Sequence, residues 1–174
     1  MQLNYIANGS VPSVSGRTLA VIDPSDGQPF DEIQRSNAHD IDMAVRAARQ
    51  CYNAVWQKLA PVERGRLLQK LSAKILEHAD ELTALEQRDC GKPTRQARAD
   101  AVALARYFEF YAGACDKFHG ETIPYPDGYS VLTWREPHGV TGHLIPWNYP
   151  MQSFGRSVGG ALPAGDVCVV ERAE

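Results

Sequence analysis

The amino-acid sequence predicts a mixed α/β fold in which short strands and a layer of helices lead into a strand–helix–strand unit. The spacing of apolar residues changes from a period of two to a helical period near residue 37, and the chain becomes β-rich again after residue 120. From residue 139 a short apolar run, a helical segment and a second apolar run follow one another, which is typical of a βαβ unit. With 174 residues, 44% hydrophobic and 22% charged, the chain fits one globular domain or one and a fraction.

The first 35 residues indicate strands joined by turns. Gly, Ser, Pro and Asp are frequent here, and apolar runs at 19–22 and 30–33 flank a Pro-Ser-Asp-Gly turn at 24–27. We therefore expect a pair of strands before the first helix.

Four helices are predicted between residues 37 and 118. Asn37 is a good N-cap with Asp40 three residues later, and the first helix is expected to end near Trp56. Pro61 suits the first turn of the second helix. The predicted apolar face of that helix comprises Leu67, Leu68, Leu71, Ile75 and Leu76.

The third and fourth helices are separated by strong stop signals. The third begins near residue 79, and the Cys-Gly-Lys-Pro segment at 90–93 ends it with a Gly followed by a Pro. The fourth is expected from about residue 94 to 118, with a buried stripe that includes Ala101, Ala105 and Phe108.

After residue 120 the sequence predicts a β-hairpin and then the βαβ unit. A Pro-Asp-Gly turn at 126–128 precedes a β-rich run at 129–135. Strands are expected at 140–145 and 167–170, with a helix ending at 162 between them. We divide the chain into three segments, 1–118, 119–138 and 139–174.

Charge and composition exclude several function classes. Eighteen Lys and Arg oppose twenty-one Asp and Glu, and the formal net charge of −3 gives no general attraction to nucleic acid or to an anionic membrane. No apolar run approaches the roughly 18 residues of a membrane span, and residues 1–10 lack a secretory signal pattern, so a cytoplasmic protein is expected. The four cysteines are far apart, which predicts free thiols. A small-molecule ligand is favoured.

The most unusual stretch is Pro146-Trp147-Asn148-Tyr149-Pro150. A Pro at each end restrains the backbone and holds an amide side chain on a stiff turn after a buried strand. A fixed N–H donor of this kind can stabilise negative charge on a substrate oxygen. The alternative is an aromatic core corner whose Asn satisfies local backbone groups.

This stretch also carries a resemblance to a known family. Residues 139–150, followed by Gly-Ala-Leu-Pro-Ala-Gly-Asp at 160–166 and a Val-rich strand, are similar to the first βαβ unit of the NAD(P)-dependent aldehyde dehydrogenases. Further matches to that family's pattern occur in the same order along nearly the whole chain: 23–27, Glu63-Arg64, 89–93, 111–113, 120–124 and 135–140.

The resemblance implies a Rossmann-like cofactor domain and a set of site residues. It places segment 1–118 in the cofactor-binding domain, makes 119–138 a hairpin of the oligomerisation type, and makes 139–174 the first, incomplete βαβ unit. Asn148 takes the oxyanion role, and Ile145, Pro146 and Trp147 line the NAD site together with it. Tyr149 lies on the wall of the aldehyde pocket, or else packs as a core aromatic residue.

Three further positions follow from the resemblance. Asp89 matches a monovalent-cation ligand, although a helix-end cap is an equal alternative. The family reads Lys-Pro-Ala/Ser-Glu after the last strand, where this chain reads Glu171-Arg172-Ala173-Glu174. Glu174 fits a ribose-binding role, whereas Glu171 replaces a donor by an acceptor, which weakens NAD binding and repels the 2′-phosphate of NADP still more. NAD is therefore the expected cofactor.

The implied reaction is oxidation of an aldehyde through a Cys thiohemiacetal. In the family the nucleophilic Cys and the general-base Glu lie beyond the point that corresponds to residue 174, so we expect this chain to be an N-terminal portion that is inactive alone. The unpaired edges of a sheet cut short, together with the strand at 129–135, lead us to expect homo-oligomers. One alternative is a non-catalytic assembly module that associates through the hairpin at 120–135. Another is an acylating or semialdehyde-specific relative, which matches the Pro-Trp-Asn corner less well.

Overall fold

A computed structural model of the protein describes residues 1–172 and has the predicted mixed architecture. The α-helices are α1 (Ala38–Ala54), α2 (Pro61–Glu77), α3 (Ala79–Cys90), α4 (Thr94–Ala114) and α5 (Pro150–Ala164), with a 3₁₀ turn at Trp56–Lys58. The strands are β1 (Asn4–Ile6), β2 (Gly9–Val11), β3 (Thr18–Ile22), β4 (Pro29–Gln34), β5 (Thr122–Ile123), β6 (Val131–Leu132), β7 (Val140–Ile145) and β8 (Val167–Arg172). None of the helices within residues 1–172 is long and apolar enough to cross a membrane.

The start of α1 confirms the capping prediction. Asn37 Oδ1 accepts hydrogen bonds from the backbone N–H groups of His39 at 2.8 Å and Asp40 at 3.3 Å, and Asp40 Oδ2 accepts one from Asn37 N–H at 2.9 Å. The buried Asp40 carboxylate also accepts from the Ser13 hydroxyl and the Val14 N–H. Burial raises the pKa of Asp40, but these donors together hold it below its ordinary value. The cap therefore also ties the N-terminal loop to α1.

The core lies where α2, α3, α4 and α5 meet. It consists of Leu68, Ile75, Ala79, Ala101, Leu104, Ala105, Phe108, Cys115, Met151 and Val158. Small residues allow close approach at its centre, since Ser72 Oγ donates to the carbonyl of Ala105 at 2.8 Å. A Cβ added at Gly65 would lie 2.7 Å from the carbonyl oxygen of Ala112.

The predicted apolar face of α2 is only partly correct. Leu68 and Ile75 are buried, but Leu67, Leu71 and Leu76 are between 38% and 51% exposed. The reason is that Gly65 and Ser72 lie on the face toward α4, and a spacing argument based on apolar residues alone does not include them. The helix is oriented by its small residues as much as by its leucines.

Two other boundaries differ from the sequence expectation. Helix α4 ends at Ala114 rather than near residue 118. The hairpin pairs only two residues on each side, Thr122 with Leu132 and Ile123 with Val131. At the other end, a Cβ at Gly120 would collide with the carbonyl oxygen of Thr133.

Strands β7 and β8 are parallel, and α5 provides the crossover between them. The register pairs Val140 with Val167 and continues to Ile145 opposite Arg172. Helix α5 packs on α4 through its glycines: a Cβ added at Gly155 would lie 2.7 Å from a ring carbon of Tyr107. The position of α5, and of the strands it joins, depends on this close approach.

Substitution of Gly155 by Ala tests that packing. The added methyl group would crowd the Tyr107 ring and approach Leu104 Cδ1 to 3.1 Å, so we expect the free energy of unfolding in urea to fall by about 1–3 kcal/mol. Gly113→Ala is the control, since its Cβ meets nothing within 4 Å. A Cβ in an open helical position should stabilise α4 by about 0.5–1 kcal/mol. Equal effects of the two substitutions would contradict the packing described here.

Candidate functional site

The Pro146–Tyr149 turn lies at the carboxyl ends of two parallel strands. It follows directly from β7, and the register sets Leu144 opposite Glu171 at the end of β8. Ligands of α/β sheets bind outside the carboxyl ends of the strands. The structure therefore brings the predicted Asn148 turn and the predicted cofactor residue Glu171 to one edge of the sheet. Glu174 lies outside the described residues.

Most of the predicted residues on this turn are accessible. Pro146, Asn148 and Glu171 are exposed, and Trp147 is 68% exposed. Ile145, in contrast, is buried, with 6% of its surface exposed. The carbonyl of Trp147 accepts a hydrogen bond from Cys90 Sγ at 3.2 Å, and this contact attaches the turn to the end of α3.

Tyr149 is held from two directions and is not a core residue. Its hydroxyl accepts a hydrogen bond from Gln96 Nε2 of α4 at 3.0 Å. Its ring faces the ammonium of Lys92, whose Nζ lies 4.0 Å from the ring centroid. The side chain is partly exposed and forms the N-terminal boundary of α5. The role of Tyr149 as a wall of the aldehyde pocket stays a prediction.

A buried cluster of charges lies behind the turn, and the sequence analysis missed it. The side chains of Lys92, Glu86 and Asp100 are 8%, 2% and 3% exposed, and Lys92 forms an ion pair with both carboxylates. Gln152 Nε2 of α5 donates to Asp100 Oδ1 at 2.6 Å. A signal existed, because Asp100 falls on the stripe that carries Ala101 and other buried residues of α4.

The two carboxyl groups of this cluster have opposite pKa shifts. Burial raises the pKa of Glu86, and the nearby negative charge of Asp100 adds to the effect. Burial also raises the pKa of Asp100, but hydrogen bonds from Lys92 and Gln152 lower it on balance. Glu86 is therefore the carboxyl that takes up a proton first.

Burial raises the pKa of three of the four cysteines. Burial, assisted by the carboxylates of Asp89 and Glu86, raises the pKa of Cys90 to about 11. Burial also raises the pKa of Cys168 to about 11 and raises that of Cys115. These three groups are thiols near neutral pH, whereas the thiolate is the reactive form. Cys51 is exposed on α1.

Asp89 is exposed in the last turn of α3, and its charge attracts Arg172. Burial lowers the pKa of the Arg172 guanidinium, and the carboxylates of Asp89 and Asp31 oppose that shift. Within residues 1–172 no group of three or more His, Cys, Asp or Glu side chains is arranged to hold a metal ion. The role of Asp89 as a monovalent-cation ligand stays a prediction.

Comparison with known proteins identifies the family to which this corner belongs. The model of the aldehyde dehydrogenase family matches residues 11–174. The chain belongs to the aldehyde dehydrogenase family. The match confirms the resemblance derived from the Pro-Trp-Asn-Tyr-Pro corner and the ordered segments around it.

Individual aldehyde dehydrogenases match over nearly the whole chain. Aldehyde dehydrogenase family 2 member B4, mitochondrial, of Arabidopsis thaliana is 41% identical over 97% of this chain and 32% of its own length. Hydroxyisobutyraldehyde dehydrogenase of Mycolicibacterium austroafricanum is 40% identical over 99% of this chain and 34% of its own length. The chain thus spans about a third of the length of these relatives.

Solved structures of the family have the same fold over this region. A protein of Burkholderia cenocepacia described as a candidate aldehyde dehydrogenase superposes with a TM-score of 0.96 at 59% identity, covering 98% of this chain and 36% of that one. PnpE in complex with nicotinamide adenine dinucleotide superposes with a TM-score of 0.94 at 37% identity, covering 98% and 35%. The described residues therefore have the fold of the N-terminal part of an aldehyde dehydrogenase.

The opposite pKa shifts of the buried cluster predict how its contribution to stability depends on pH. The pKa of Glu86 in the folded state is raised above its ordinary 4.5. The contribution of Glu86 to the free energy of unfolding is therefore fully present below pH 4.5 and is lost as the pH rises through the folded-state pKa. Asp100, with a lowered pKa, has the opposite dependence and loses its contribution only as the pH falls. We expect Glu86→Gln to gain stability relative to the unsubstituted chain as the pH rises, measured by urea unfolding from about pH 5 to 8.

Glu77→Gln is the matched control for this measurement. Glu77 is exposed, and its hydrogen bond with Lys74 lowers its pKa. Its effect on stability should therefore be constant above about pH 5. A difference between Glu86→Gln and the unsubstituted chain that is also constant would show that Glu86 does not titrate as described.

Proposed function

We propose that the protein takes part in the NAD-dependent oxidation of an aldehyde to a carboxylate, with Asn148 as the oxyanion donor. The observation that carries this proposal is the exposed Asn148 side chain on a restrained turn at the carboxyl ends of β7 and β8. Both of its neighbours are held, since the Trp147 carbonyl accepts from Cys90 and the Tyr149 hydroxyl accepts from Gln96. A fixed donor at such an edge suits a carbonyl oxygen that becomes negative during the reaction.

The chemistry divides into steps that these residues can assist. When a thiolate adds to the aldehyde carbon, the electron pair of the C=O bond moves to the oxygen, and the Asn148 N–H group donates to it. Such a donor is worth about 3–4 kcal/mol of the barrier. Bound NAD would accept the hydride that leaves the former aldehyde carbon, and the resulting thioester would be hydrolysed by water to the carboxylate and the free thiol. The exposed ring of Tyr149 offers an apolar wall for the substrate carbon chain.

The residues at the strand edge fit a dinucleotide without a 2′-phosphate. Glu171 is exposed at the end of β8, where it places a negatively charged acceptor at the position at which the family has a Lys donor. The same negative charge would repel the phosphate of NADP. A carboxylate cannot donate a hydrogen bond to a ribose hydroxyl group, so we expect the chain to bind NAD with modest affinity.

Calorimetric titration with NAD tests this assignment. Glu171→Lys replaces the acceptor by a donor, and we expect NAD to bind on the order of tenfold more tightly to the substituted chain. Glu121→Lys is the control, because Glu121 is also exposed but lies beside the hairpin. It should leave NAD binding unchanged. If the unsubstituted chain and Glu171→Lys bind NAD with equal affinity, Glu171 is not part of the cofactor site.

Absorbance of NADH in the same samples, with a short aldehyde added, gives a second readout. Because the family's nucleophilic Cys lies beyond the position of residue 174, and burial keeps Cys90, Cys115 and Cys168 as thiols near neutral pH, we expect no NADH formation by the chain alone. NADH formation that disappears in Asn148→Ala would show that one of the four cysteines present acts as the nucleophile.

We further propose that the protein forms homo-oligomers through the hairpin. Trp134 is 82% exposed and Tyr129 is 72% exposed, and the ring of Tyr129 contacts that of Tyr125 edge-on at 5.7 Å. Within residues 1–172, β5 and β6 pair only with each other, which leaves their outer edges open to another chain. Exposed aromatic side chains beside an open edge favour association. This surface also supports the alternative role as an assembly module.

Light scattering after size exclusion measures this association. We expect a mass above the 19.2 kDa of the monomer that rises with concentration, and a lower mass for Trp134→Ser. Trp147→Ser is the control, since this tryptophan is similarly exposed but lies away from the hairpin. A single 19.2 kDa species at all dilutions would contradict self-association. Equal masses for Trp134→Ser and Trp147→Ser would show that the hairpin is not part of the interface.

A cytoplasmic location is also proposed. The four cysteines are free, which suits a reducing compartment. Some relatives have mitochondrial names, including that of Arabidopsis thaliana.

A further inference from the structure

Lys92 is fixed by its backbone as well as by its partners. It follows Gly91, which ends α3 in the left-handed region with φ of 67°, and it precedes Pro93. A Cβ at Gly91 would lie 2.9 Å from Cγ of Pro24, so the segment is packed against the turn after β3. The lysine stem therefore leaves a rigid loop and enters the interior between α3 and α4.

The ammonium of Lys92 has a contact for each of its three N–H donors. Two are its ion pairs with the carboxylates of Glu86 and Asp100. The third is the ring of Tyr149, whose centroid is 4.0 Å from Nζ. An ammonium donates three hydrogen bonds, and the face of an aromatic ring attracts a cation. Because the carboxylates belong to two different helices, the ammonium cannot follow the ring if the ring moves.

We propose that Lys92 is a positioning residue for the Asn148 turn, acting through the ring of Tyr149. This inference rests on the proposed oxyanion role of Asn148. Asn148 lies between Trp147, whose carbonyl is held by Cys90, and Tyr149, whose ring is held by Lys92. With both neighbours held, the backbone that carries the Asn148 amide is restrained before a substrate binds, and such preorganisation helps a donor to lower a barrier.

The cluster also connects the turn to the first turn of α5. Gln152 of α5 donates to the Asp100 carboxylate that accepts from Lys92. The N–H of Ser153 donates to the carbonyl of Tyr149 at 2.8 Å. Loss of the Lys92 contact should therefore loosen this first helical hydrogen bond as well as the ring.

NMR spectroscopy of the chain tests the contact directly. In the unsubstituted protein the Hε resonances of Lys92 should be shifted upfield by the ring current of Tyr149. Tyr149→Phe keeps a ring and should keep the upfield shift, whereas Tyr149→Leu should abolish it. Tyr149 is partly exposed, so these variants should fold. An unshifted Lys92 in the unsubstituted chain, or an upfield shift that persists in Tyr149→Leu, would overturn the proposal.

Amide hydrogen exchange at Ser153 tests the positioning effect. We expect exchange about tenfold faster in Tyr149→Leu and in Lys92→Met, the factor expected for a partly buried cation–π contact. Lys92→Arg, which keeps the charge and can stack on the ring, should restore slow exchange. Lys74→Met removes an exposed ion pair of α2 and serves as the control with unchanged exchange. Unchanged exchange in Tyr149→Leu would overturn the positioning role even if Lys92→Met does not fold.

These measurements contain neither NAD nor an aldehyde. A failed NAD titration would therefore count against the proposed function alone, whereas a failed ring-current or exchange result would count against Lys92 alone.

Discussion

One buried ammonium connects the parts of this structure that matter for its site. Lys92 lies between α3 and α4, and the Asp100 carboxylate that it binds is also bound from α5 by Gln152. Burying charges is costly, and a buried ion pair stabilises a protein only when its hydrogen bonds are satisfied. Removal of one partner leaves an uncompensated charge and typically costs about 3–5 kcal/mol. The cluster therefore links α3, α4 and α5 through one ammonium, although a buried ion pair need not add to net stability.

The parallel register of β7 and β8 then brings the residues of the proposed site to the same edge of the sheet. Parallel strands end at the same edge of a sheet, so a turn after β7 must lie beside the last residues of β8. Helix α5 can make the crossover only by packing closely on α4, which Gly155 allows. The same helix begins at the turn that carries Asn148. The contacts that pack α5 on α4 therefore also determine where the turn with Asn148 lies.

The sequence predicts those parts of the fold that depend on interactions between neighbouring residues, such as the ends of the helices. The cap formed by Asn37 and Asp40, the helix start at Pro61 and the stop at Gly91 were all predicted and confirmed. Each depends on the hydrogen bonds or dihedral angles of a few neighbouring residues. The parallel βαβ unit was also predicted, because its apolar runs and its crossover segment are continuous in the chain.

The parts that could not be predicted depend on contacts between distant residues. Leu67 and Leu71 match a helical apolar face, yet Gly65 and Ser72 take the contact with α4 because their small side chains let the helices approach. Similarly, Glu86 and Lys92 look like ordinary surface charges in sequence. Their burial requires α3 and α4 to be packed together, which no spacing pattern records.

A thiol-based oxidation needs an oriented hydrogen-bond donor and a thiolate, and the surroundings of residues 146–150 favour only the first. The proposed role of Asn148 requires a donor that is already oriented, and the contacts of Trp147 and Tyr149 hold the chain on either side of it. Forming a thiolate requires the reverse environment, with positive charge near a partly exposed sulfur. Cys90 lies beside the same turn but near the carboxylates of Asp89 and Glu86, which together with burial raise the pKa of its thiol to about 11. Burial and the negative charge of Asp89 and Glu86 thus keep Cys90 protonated. Under the proposed function, this turn would supply the oxyanion donor and not the nucleophile.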